Sequence, residues 1–396
     1  MKQVSEAGGA IAHLPPQKHD AALVACAAAG KPRMRILMVA ARYYPYMGGV
    51  ETHTHEVARQ LVARGQSVTV LSTDPSGRHA AEESVDGIAV LRVRPWSKKD
   101  DYYFAPAIAG KIASGAWDIV HVQGYHTFVA PLAMAAAVRR GLPFVITFHS
   151  GGHSSRLRNS LRRIQHGLLR PLIRRAEQII AVSDFEANFF SSRLHIPRER
   201  FAVIQNGARL PEPGPGCARE SALLIVSIGR LERYKGHHRA ILAFSELAQR
   251  MPKARLRILG EGPYEKPLRQ LVRALELEER VTIGGVPPHD RQGLADVLGS
   301  ARLVVLLSEY EAHPVAVVEA LALGCNVLVS DTSGLREIAN KGLCRSVPLN
   351  ASSCAVAKAM ASELFSPPKV PAAPLPDWNN CADQLLGIYQ RVLVDR

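Results

Sequence analysis

The chain has 396 residues, of which 47% are hydrophobic and 21% charged, a balance that excludes a disordered chain and suffices for two globular domains. Its formal net charge of +14 at pH 7 favours anionic partners, whether phosphorylated ligands, anionic lipid or nucleic acid. Six cysteines without a C-x-x-C pair argue against a zinc site and a disulfide scaffold, and fit a reducing compartment. No apolar run reaches the roughly 18–20 residues of a membrane span and no secretory signal pattern is evident, so we expect a cytoplasmic protein.

Short apolar strands alternate with helices from residue 34 onward, and they predict a first domain over 34–210. Residues 1–33, rich in Ala, Gly and Pro, are expected to be a disordered extension. A helix is predicted at 51–64, and a Pro- and Gly-rich segment predicts a linker over 211–220. The predicted strands of this domain span 35–40, 66–72, 88–93, 119–122, 143–148, 178–182 and 203–205.

The same alternation resumes after the linker and predicts a second domain over 221–375. A last helix within 376–396 is expected to cross back to the first domain. Repeated strand–helix units predict parallel sheets covered by helices, with ligands at the carboxyl ends of the strands and therefore in the cleft between the domains. The predicted strands span 223–228, 255–259, 281–283, 303–307 and 326–330, and the predicted helices span 237–250 and 264–275.

An apolar helix that follows the strand at 303–307 carries a glutamate, Glu319, near its middle. Pro314 suits the first turn of this helix and Gly324 its end, and a second glutamate, Glu311, precedes it. A buried carboxylate needs partners, because burying an unpaired charge is costly. From these residues alone, a neighbouring arginine or backbone and a bound ligand are equally acceptable partners for Glu319.

Two loops in the second half have features of phosphate sites. The loop after the strand at 223–228 contains Gly229, Arg230 and Lys235, which suit a phosphate group, although a solvated basic loop would look the same. A lone G-x-G that ends at Gly262 follows the next strand. Neither a P-loop nor a full dinucleotide fingerprint is present.

Three loops of the first half also follow predicted strands. Gly48 and Gly49 precede a helix and form either an anion-binding nest or a plain turn. His149 ends the strand at 143–148 as a ligand contact or as an ordinary satisfied polar residue, and Asn206 lies in a loop that fits a simple turn.

Taken together, these residues resemble the retaining, nucleotide-sugar-dependent glycosyltransferases of group 1, and the match runs in order over about 34–396. The resemblance implies an α/β fold of two facing Rossmann-like, doubly wound domains, the glycosyltransferase B fold, with an interdomain cleft. The matching segments are Gly48-Gly49, His149, Val182-Ser183, Asn206-Gly207, Gly229-Arg230, Lys235-Gly236, Gly260-Glu-Gly-Pro263 and the pair Glu311 and Glu319 spaced as E-x7-E.

The resemblance also implies roles. Glu319 would bind the ribose hydroxyls of the donor, and Glu311 would bind hydroxyls of the transferred sugar. Arg230 and Lys235 would neutralise the diphosphate in place of a metal ion, which implies metal-independent transfer without a cofactor. His149 would lie near C6 of the sugar. The remaining implied donor contacts are Gly48, Gly49, Asn206, Gly229, Gly262, Gly285, Val286, His313, Pro314, Val315 and Ala316.

Family members are described as acting by a front-side displacement in which the donor phosphate takes the acceptor proton. By this resemblance, a hexose-type sugar passes from a UDP- or GDP-linked donor to a glycan or lipid-linked acceptor, in bacterial cell-surface or exopolysaccharide synthesis. The loop reads Glu-Ala-His-Pro where Glu-Gly-Phe-Gly is commoner, so His313 leaves the sugar open. The other readings are a nicotinamide-dependent enzyme, disfavoured by the missing fingerprint, and a non-catalytic lipid- or nucleic-acid-binding protein, disfavoured by the glutamate pair.

A basic segment over 154–178 carries seven arginines and one acid. One interpretation is an amphipathic helix that packs on the first domain with its basic face in solvent. The other is contact with an anionic membrane surface on the inner face of the membrane, where a lipid-linked acceptor is presented. The segment has no aromatic interleaving, so we expect no nucleic-acid partner. The arginines proposed for this contact are Arg156, Arg158, Arg162 and Arg163.

Overall fold

The structure is a computed structural model that describes residues 33–46, 48–96, 103–150, 156–215, 217, 223–287, 290–369 and 374–396. Within the helix that starts at Arg156, the side chains of 156–161 and 163 are outside this description. Nearly all of the predicted extension, residues 1–32, lies outside it as well, as do 216 and 218–220 of the predicted linker and 221–222 of the predicted second domain.

The first domain is built on a sheet in which eight strands are described, in the order β3-β4-β2-β1-β5-β6-β7-β8. All neighbours are parallel except β3 and β4, which pair antiparallel. The strands are β1 (Arg35–Ala40), β2 (Ser67–Thr73), β3 (Glu82–Val85), β4 (Ile88–Val93), β5 (Ile119–Gln123), β6 (Phe144–Thr147), β7 (Gln178–Ala181) and β8 (Phe201–Val203). The helices are α1 (Gly49–Ala63), α2 (Ala107–Ser114), α3 (Val129–Arg139), α4 (Arg156–Ile173) and α5 (Asp184–Leu194).

The second domain repeats this construction with six described strands, in the order β11-β10-β9-β12-β13-β14, and all neighbours among them are parallel. The strands are β9 (Leu223–Ile228), β10 (Ala254–Leu259), β11 (Val281–Ile283), β12 (Leu303–Leu306), β13 (Asn326–Ser330) and β14 (Arg345–Val347). The helices are α6 (His237–Arg250), α7 (Glu265–Ala274), α8 (Arg291–Ser300), α9 (Val315–Ala322), α10 (Ser333–Asn340), α11 (Ser353–Phe365) and α12 (Trp378–Val394).

The central strands read as continuous apolar runs because helices cover both faces of each sheet. In β1, for example, every residue after Arg35 is buried. The two sheets with their helices confirm the predicted α/β fold of two Rossmann-like domains. One predicted strand was misplaced: 203–205 was expected, and β8 ends at residue 203.

The last helix, α12, packs against α1 of the first domain. Trp378 and Tyr389 are buried in one apolar cluster with Ile36 of β1, and the Tyr389 hydroxyl lies 2.6 Å from Nδ1 of His121. A Cβ on Gly207 would come 2.4 Å from the backbone nitrogen of Trp378, so only glycine fits where the loop after β8 passes the start of α12. The chain that leaves the second domain therefore ends against the first.

Candidate active site

The loops after β9 and β12 meet at the carboxyl edge of the second sheet through a close backbone approach. Gly236 has a φ of +74°, and a Cβ there would lie 2.0 Å from the carbonyl oxygen of Leu307. This contact places Nζ of Lys235 2.6 Å from Oε1 of Glu311, which also accepts a hydrogen bond of 2.8 Å from Ser308 Oγ. Burial acts to lower the pKa of Lys235, but the Glu311 carboxylate outweighs it, so this pKa lies above its ordinary value.

The backbone around Glu311 is held by the start of α10. The Glu311 amide donates to Oγ of Ser333 at 2.9 Å, and the Gly334 amide donates to the Glu311 carbonyl at 2.9 Å. A Cβ on Gly334 would lie 1.7 Å from the carbonyl oxygen of Ala312, so the loop and the helix start touch through bare backbone. The position of the Glu311 carboxylate therefore depends on residues more than 20 positions downstream.

Glu319 lies inside α9 with 3% of its side chain exposed, and it pairs with Arg291 at the start of α8. The same arginine nitrogen, Nη2, donates to the carbonyl of Arg209 at 3.1 Å. Burial raises the pKa of Glu319, and the Arg291 charge acts against this rise. The sequence left open whether Glu319 meets a protein group or a ligand. The structure gives it an arginine partner, Arg291.

The start of α9 has backbone amides without a side-chain cap among the described residues. Pro314 precedes the helix, no side chain in the described part of the chain caps it, and the first intrahelical bond runs from the Val317 amide to the Pro314 carbonyl. The amides of Val315 and Ala316 precede that bond, and such amides at a helix N-terminus form an anion site.

A chain of polar contacts links the two domains beside this site. Nε2 of His149 donates to Oε1 of Gln123 at 2.8 Å, and its ring lies edge-on to His53 with centroids 4.4 Å apart. Nδ1 of His53 donates to Oδ1 of Asn206 at 2.9 Å, and Nδ2 of Asn206 donates to the His313 carbonyl at 2.7 Å. Asn206 is thus not in a simple turn but at the domain interface.

The imidazole rings of His149 and His53 are both neutral at pH 7. Burial lowers the pKa of His149 well below its usual range, and nearby His53 lowers it further. Burial likewise lowers the pKa of His53 to about 4, against the opposing effect of the hydrogen bond that His53 donates to Asn206. A neutral His149 that donates from Nε2 has Nδ1 as a hydrogen-bond acceptor.

A second contact between the domains involves Ser150, the residue after His149. Oγ of Ser150 is 2.8 Å from the hydroxyl of Tyr310, the residue before Glu311. The buried carboxylate of Glu186 accepts hydrogen bonds from the backbone amides of Ser150 at 2.6 Å and Val182 at 2.8 Å. These bonds hold the backbone at Ser150, shortly after β6. The two domains are therefore in contact at residues that flank Glu311 in the sequence, Tyr310 and His313.

The other predicted donor residues have fewer contacts in the structure. Arg230 has 44% of its side chain exposed and lies 3.7 Å from Glu232. Gly229, Gly262 and Gly285 have φ values of +148°, +157° and +101°, conformations that side chains disfavour. Val286, next to Gly285, packs against the core of the second domain.

In the first-half glycine loop, Gly48 caps α1 and Gly49 begins it. A Cβ on Gly48 would lie 2.6 Å from Oε2 of Glu51, whereas one on Gly49 would meet nothing within 4 Å. Gly49 therefore faces open space. The roles assigned to both glycines stay predictions.

The basic helix α4 packs on the first domain but leaves part of its apolar surface exposed. Ile164 and Leu168 are 61% and 74% exposed, whereas Leu169 and Ile173 are buried in the core of the first domain. The helix α4 therefore packs on the first domain, as one of the two interpretations of the sequence expected, through Leu169 and Ile173 and not through Ile164 and Leu168. Arg162 is half-buried, and the side chains of Arg156, Arg158 and Arg163 lie outside the described residues.

Sequence reasoning missed Arg291 and His53. Arg291 lies 28 residues before Glu319 and carries no local signal of its role. His53 had one: it lies four residues after Gly49 in the predicted helix, on the face that starts at the glycine loop. In the described part of the chain, no three His, Cys, Asp or Glu side chains are grouped as a metal site, and no helix is long and apolar enough to cross a membrane.

Comparison with known families identifies the class of protein. Residues 47–210 match the model of Glycosyltransferase Family 4, and residues 217–369 match the model of Glycosyl transferases group 1. Together these matches span most of the chain, which belongs to the group 1 glycosyltransferases. The nicotinamide-dependent and non-catalytic readings are set aside.

Two sequence relatives illustrate the range of this family. A glycogen synthase of Mycobacterium tuberculosis is 29% identical over 349 residues, covering 78% of this chain and 81% of the relative. A GDP-mannose:cellobiosyl-diphosphopolyprenol alpha-mannosyltransferase of Xanthomonas campestris is 27% identical over 307 residues, covering 75% and 79%. The relatives share the transferase class but not the substrates in their names.

Solved structures agree on the fold. Sucrose-phosphate synthase from Thermosynechococcus elongatus superposes with a TM-score of 0.74 at 18% identity, covering 92% of this chain and 100% of that chain. HepE of Anabaena, in complex with UDP and glucose, superposes with a TM-score of 0.70 at 18% identity, covering 90% and 100%. These likenesses confirm the glycosyltransferase B fold.

Proposed function

We propose that the protein is a retaining, metal-independent hexosyltransferase. It takes a hexose-type sugar from a UDP- or GDP-linked donor and transfers it to a glycan or lipid-linked acceptor in bacterial cell-surface or exopolysaccharide synthesis. The observation that carries this proposal is that the Lys235–Glu311 pair directly precedes the uncapped start of α9, the helix that holds the buried Glu319. The GDP-mannose and UDP named for a relative and for a structural neighbour support this donor class.

In this proposal the donor diphosphate lies at the start of α9. The amides of Val315 and Ala316 face its oxygens, where the positive end of the helix dipole favours negative charge. Lys235 supplies a charge whose carboxylate neighbour keeps it protonated, and the exposed Arg230 supplies a second. These charges stabilise the diphosphate as it leaves, which is the stage at which its negative charge grows.

The two glutamates bind the sugars at either end of the diphosphate. Glu319 accepts the ribose hydroxyls, and Glu311 accepts hydroxyls of the transferred hexose. Neutral His149, with its Nε2–H bonded to Gln123, accepts a hexose hydroxyl at Nδ1. The acceptor oxygen bonds to the anomeric carbon on the face that the diphosphate leaves, and its proton passes to the departing phosphate oxygen. Configuration is therefore retained.

The first test is a calorimetric binding screen of UDP, GDP, ADP and NAD with a chelator present. We expect micromolar binding of one nucleoside diphosphate and a loss of at least tenfold in Glu319→Gln, because a carboxylate hydrogen bond contributes about 1.5–3 kcal/mol. The matched control is Glu363→Gln, another buried glutamate of the second domain, which pairs with Arg345 far from the cleft. Binding of NAD, binding of no nucleotide, or equal loss in both variants would contradict the proposal.

For a lipid-linked acceptor, the protein must reach a membrane surface, and the exposed residues of the first domain support such contact. Ile164 and Leu168 project from the basic helix α4, and Gln165 between them donates to the carbonyl of Tyr125, three residues before the exposed Phe128. Trp96 and Phe104 continue this exposed apolar surface, with ring centroids of Phe104 and Phe128 6.1 Å apart. Basic charge beside exposed aromatic rings favours an anionic bilayer.

Liposome flotation tests this part of the proposal. The variant Ile164→Ser/Leu168→Ser should bind anionic vesicles less than the wild type while its affinity for nucleoside diphosphate is unchanged. The matched control changes two other exposed apolar residues, Leu349 and Phe365 of the second domain, to serine. Equal vesicle binding by both variants, or equal binding to neutral and anionic vesicles, would argue against membrane contact through α4.

A further inference from the structure

Arg291 lies where three parts of the protein meet. Its side chain leaves the first turn of α8, and one nitrogen, Nη2, bonds both the Glu319 carboxylate in α9 and the carbonyl of Arg209. Arg209 begins the segment 209–215, which we call the crossing chain because it leads from the first domain to the second. One guanidinium therefore connects the crossing chain to the buried carboxylate of the candidate donor site.

The crossing chain is fastened along α8 by more than this arginine. Nε2 of Gln292 donates to the Glu212 carbonyl at 3.0 Å, and the Gly214 amide donates to Asp296 at 2.9 Å. A Cβ on Gly299 would lie 2.6 Å from Pro213, so the chain also packs closely on the helix. Arg291 is thus not needed to hold the crossing chain in place, and its bond to Glu319 calls for a separate explanation.

The chemistry of the Arg291–Glu319 pair supplies that explanation. A carboxylate has two oxygens with about four acceptor positions, and Arg291 uses Oε1. A planar guanidinium bonded to one oxygen limits rotation of the carboxylate about its χ3 angle, and so it fixes where the second oxygen points. Glu319 has 3% of its side chain exposed and Arg291 21%, so the pair is largely shielded from solvent and its geometry is well defined.

We propose that Arg291 is a positioning residue for the ribose end of the donor: it holds the Glu319 carboxylate so that its second oxygen meets the ribose hydroxyls. This inference rests on the proposed nucleoside-diphosphate-sugar donor and deepens it. Arg291 acts through Glu319 and does not itself touch the sugar that is transferred. It therefore determines how strongly the enzyme distinguishes a nucleotide with ribose hydroxyls from one without them.

The test compares two probes, the nucleoside diphosphate that the wild type binds and the 2′,3′-dideoxy form of the same nucleotide. Calorimetric Kd values are measured for wild type, Arg291→Ala and Arg291→Lys. We expect Arg291→Ala to lose about tenfold in affinity for the ribose form, the size of one hydrogen bond to a charged group, and less than about twofold for the dideoxy form. Arg291→Lys keeps the charge without the fork and should fall in between.

Gln292→Ala is the matched control. It removes a contact to the crossing chain from the neighbouring residue of α8 but leaves Glu319 untouched, so the preference for the ribose form should be unchanged. Addition of Glu319→Gln to Arg291→Ala should cause little further loss, because both changes remove the same contact. Thermal unfolding of each variant shows which of them are folded, and Arg291→Lys keeps the comparison available if Arg291→Ala unfolds.

Equal losses of Arg291→Ala for both probes, or no loss for either, would overturn the positioning role. Loss of ribose preference in Gln292→Ala would assign the effect to the crossing chain and overturn it too. Failure of the proposed function itself looks different: the wild type would then bind no nucleoside diphosphate, before any variant is compared.

Discussion

The Lys235–Glu311 pair allows a quantitative test of the site's electrostatics. The two groups are 2.6 Å apart, with side-chain exposures of 16% and 9%, so the change Lys235→Met leaves a carboxylate largely shielded from water. Removal of one partner of a buried pair costs about 3–5 kcal/mol. Ser308 still donates to Glu311, and the remaining exposure lets in some water, so we expect the lower end, about 3 kcal/mol.

The assay is urea unfolding followed by two probes, because two domains need not unfold together. The three tryptophans, Trp96, Trp117 and Trp378, lie in the first domain or on the helix packed against it, so their fluorescence follows that domain. Far-UV circular dichroism follows both domains. The loss of stability should therefore appear in the dichroism transition of the second domain and leave the fluorescence transition nearly unchanged.

A double-mutant cycle with Glu311→Gln completes the test, since the double variant should be less destabilised than the sum of the single ones by about 1–3 kcal/mol. The control is Glu265→Gln, which breaks an ion pair with Arg269 whose side chains are 42% and 50% exposed, and it should cost less than about 1 kcal/mol. If Lys235→Met costs no more than Glu265→Gln, or if the cycle is additive, solvent screens the site pair and the argument from burial is wrong.

Two further predictions concern the close backbone contact at Gly236 and the protonation of His53. Gly236→Ala should destabilise the protein by at least about 2 kcal/mol more than Gly342→Ala in urea unfolding, because both glycines have a φ of +74° but only Gly236 has a backbone oxygen within 2.0 Å of its Cβ position; equal effects would mean that strain in φ is the whole cost. His53 has a folded pKa of about 4, below the usual 6.5, so the unfolded state binds more protons between these values, and the stability contributed at higher pH is lost as pH falls below 6.5. His53→Asn should therefore reduce the loss of stability between pH 7.5 and 5 by up to about 2 kcal/mol. The same pH dependence in wild type and His53→Asn would refute this assignment.

The sequence by itself determined the strands that are apolar along their whole length. The strand predicted at 35–40 coincides with β1, and that predicted at 223–228 coincides with β9, because strands covered on both faces carry an unbroken apolar run. The strand β3, with the sequence EESV and an exposed surface, carries no such run and was not predicted. Its pairing with β4 at the sheet edge depends on that neighbour and not on its own residues.

The candidate site likewise combines features that the sequence predicted with contacts that only the folded chain shows. That Glu319 is buried and needs a partner follows from the apolar helix around it, and the E-x7-E spacing with the basic loop pointed to a donor site. That the partner is Arg291, and that Asn206 reaches the His313 carbonyl, follows only from the folded chain, because these contacts join segments 28 and 107 residues apart. The roles of the individual site residues stay predictions until the binding measurements are made.

Helix α4 shows most directly why the sequence of one segment does not determine how that segment packs. Its sequence sets the helical period, since backbone hydrogen bonds form between residues a few positions apart whatever surrounds them. The period does not decide which face turns inward: Leu169 and Ile173 pack on the first domain, whereas Ile164 and Leu168 face solvent. Local residues determine most of the elements, with edge strands such as β3 as exceptions, and the orientation of the elements is decided where distant segments compete to bury the same apolar surface.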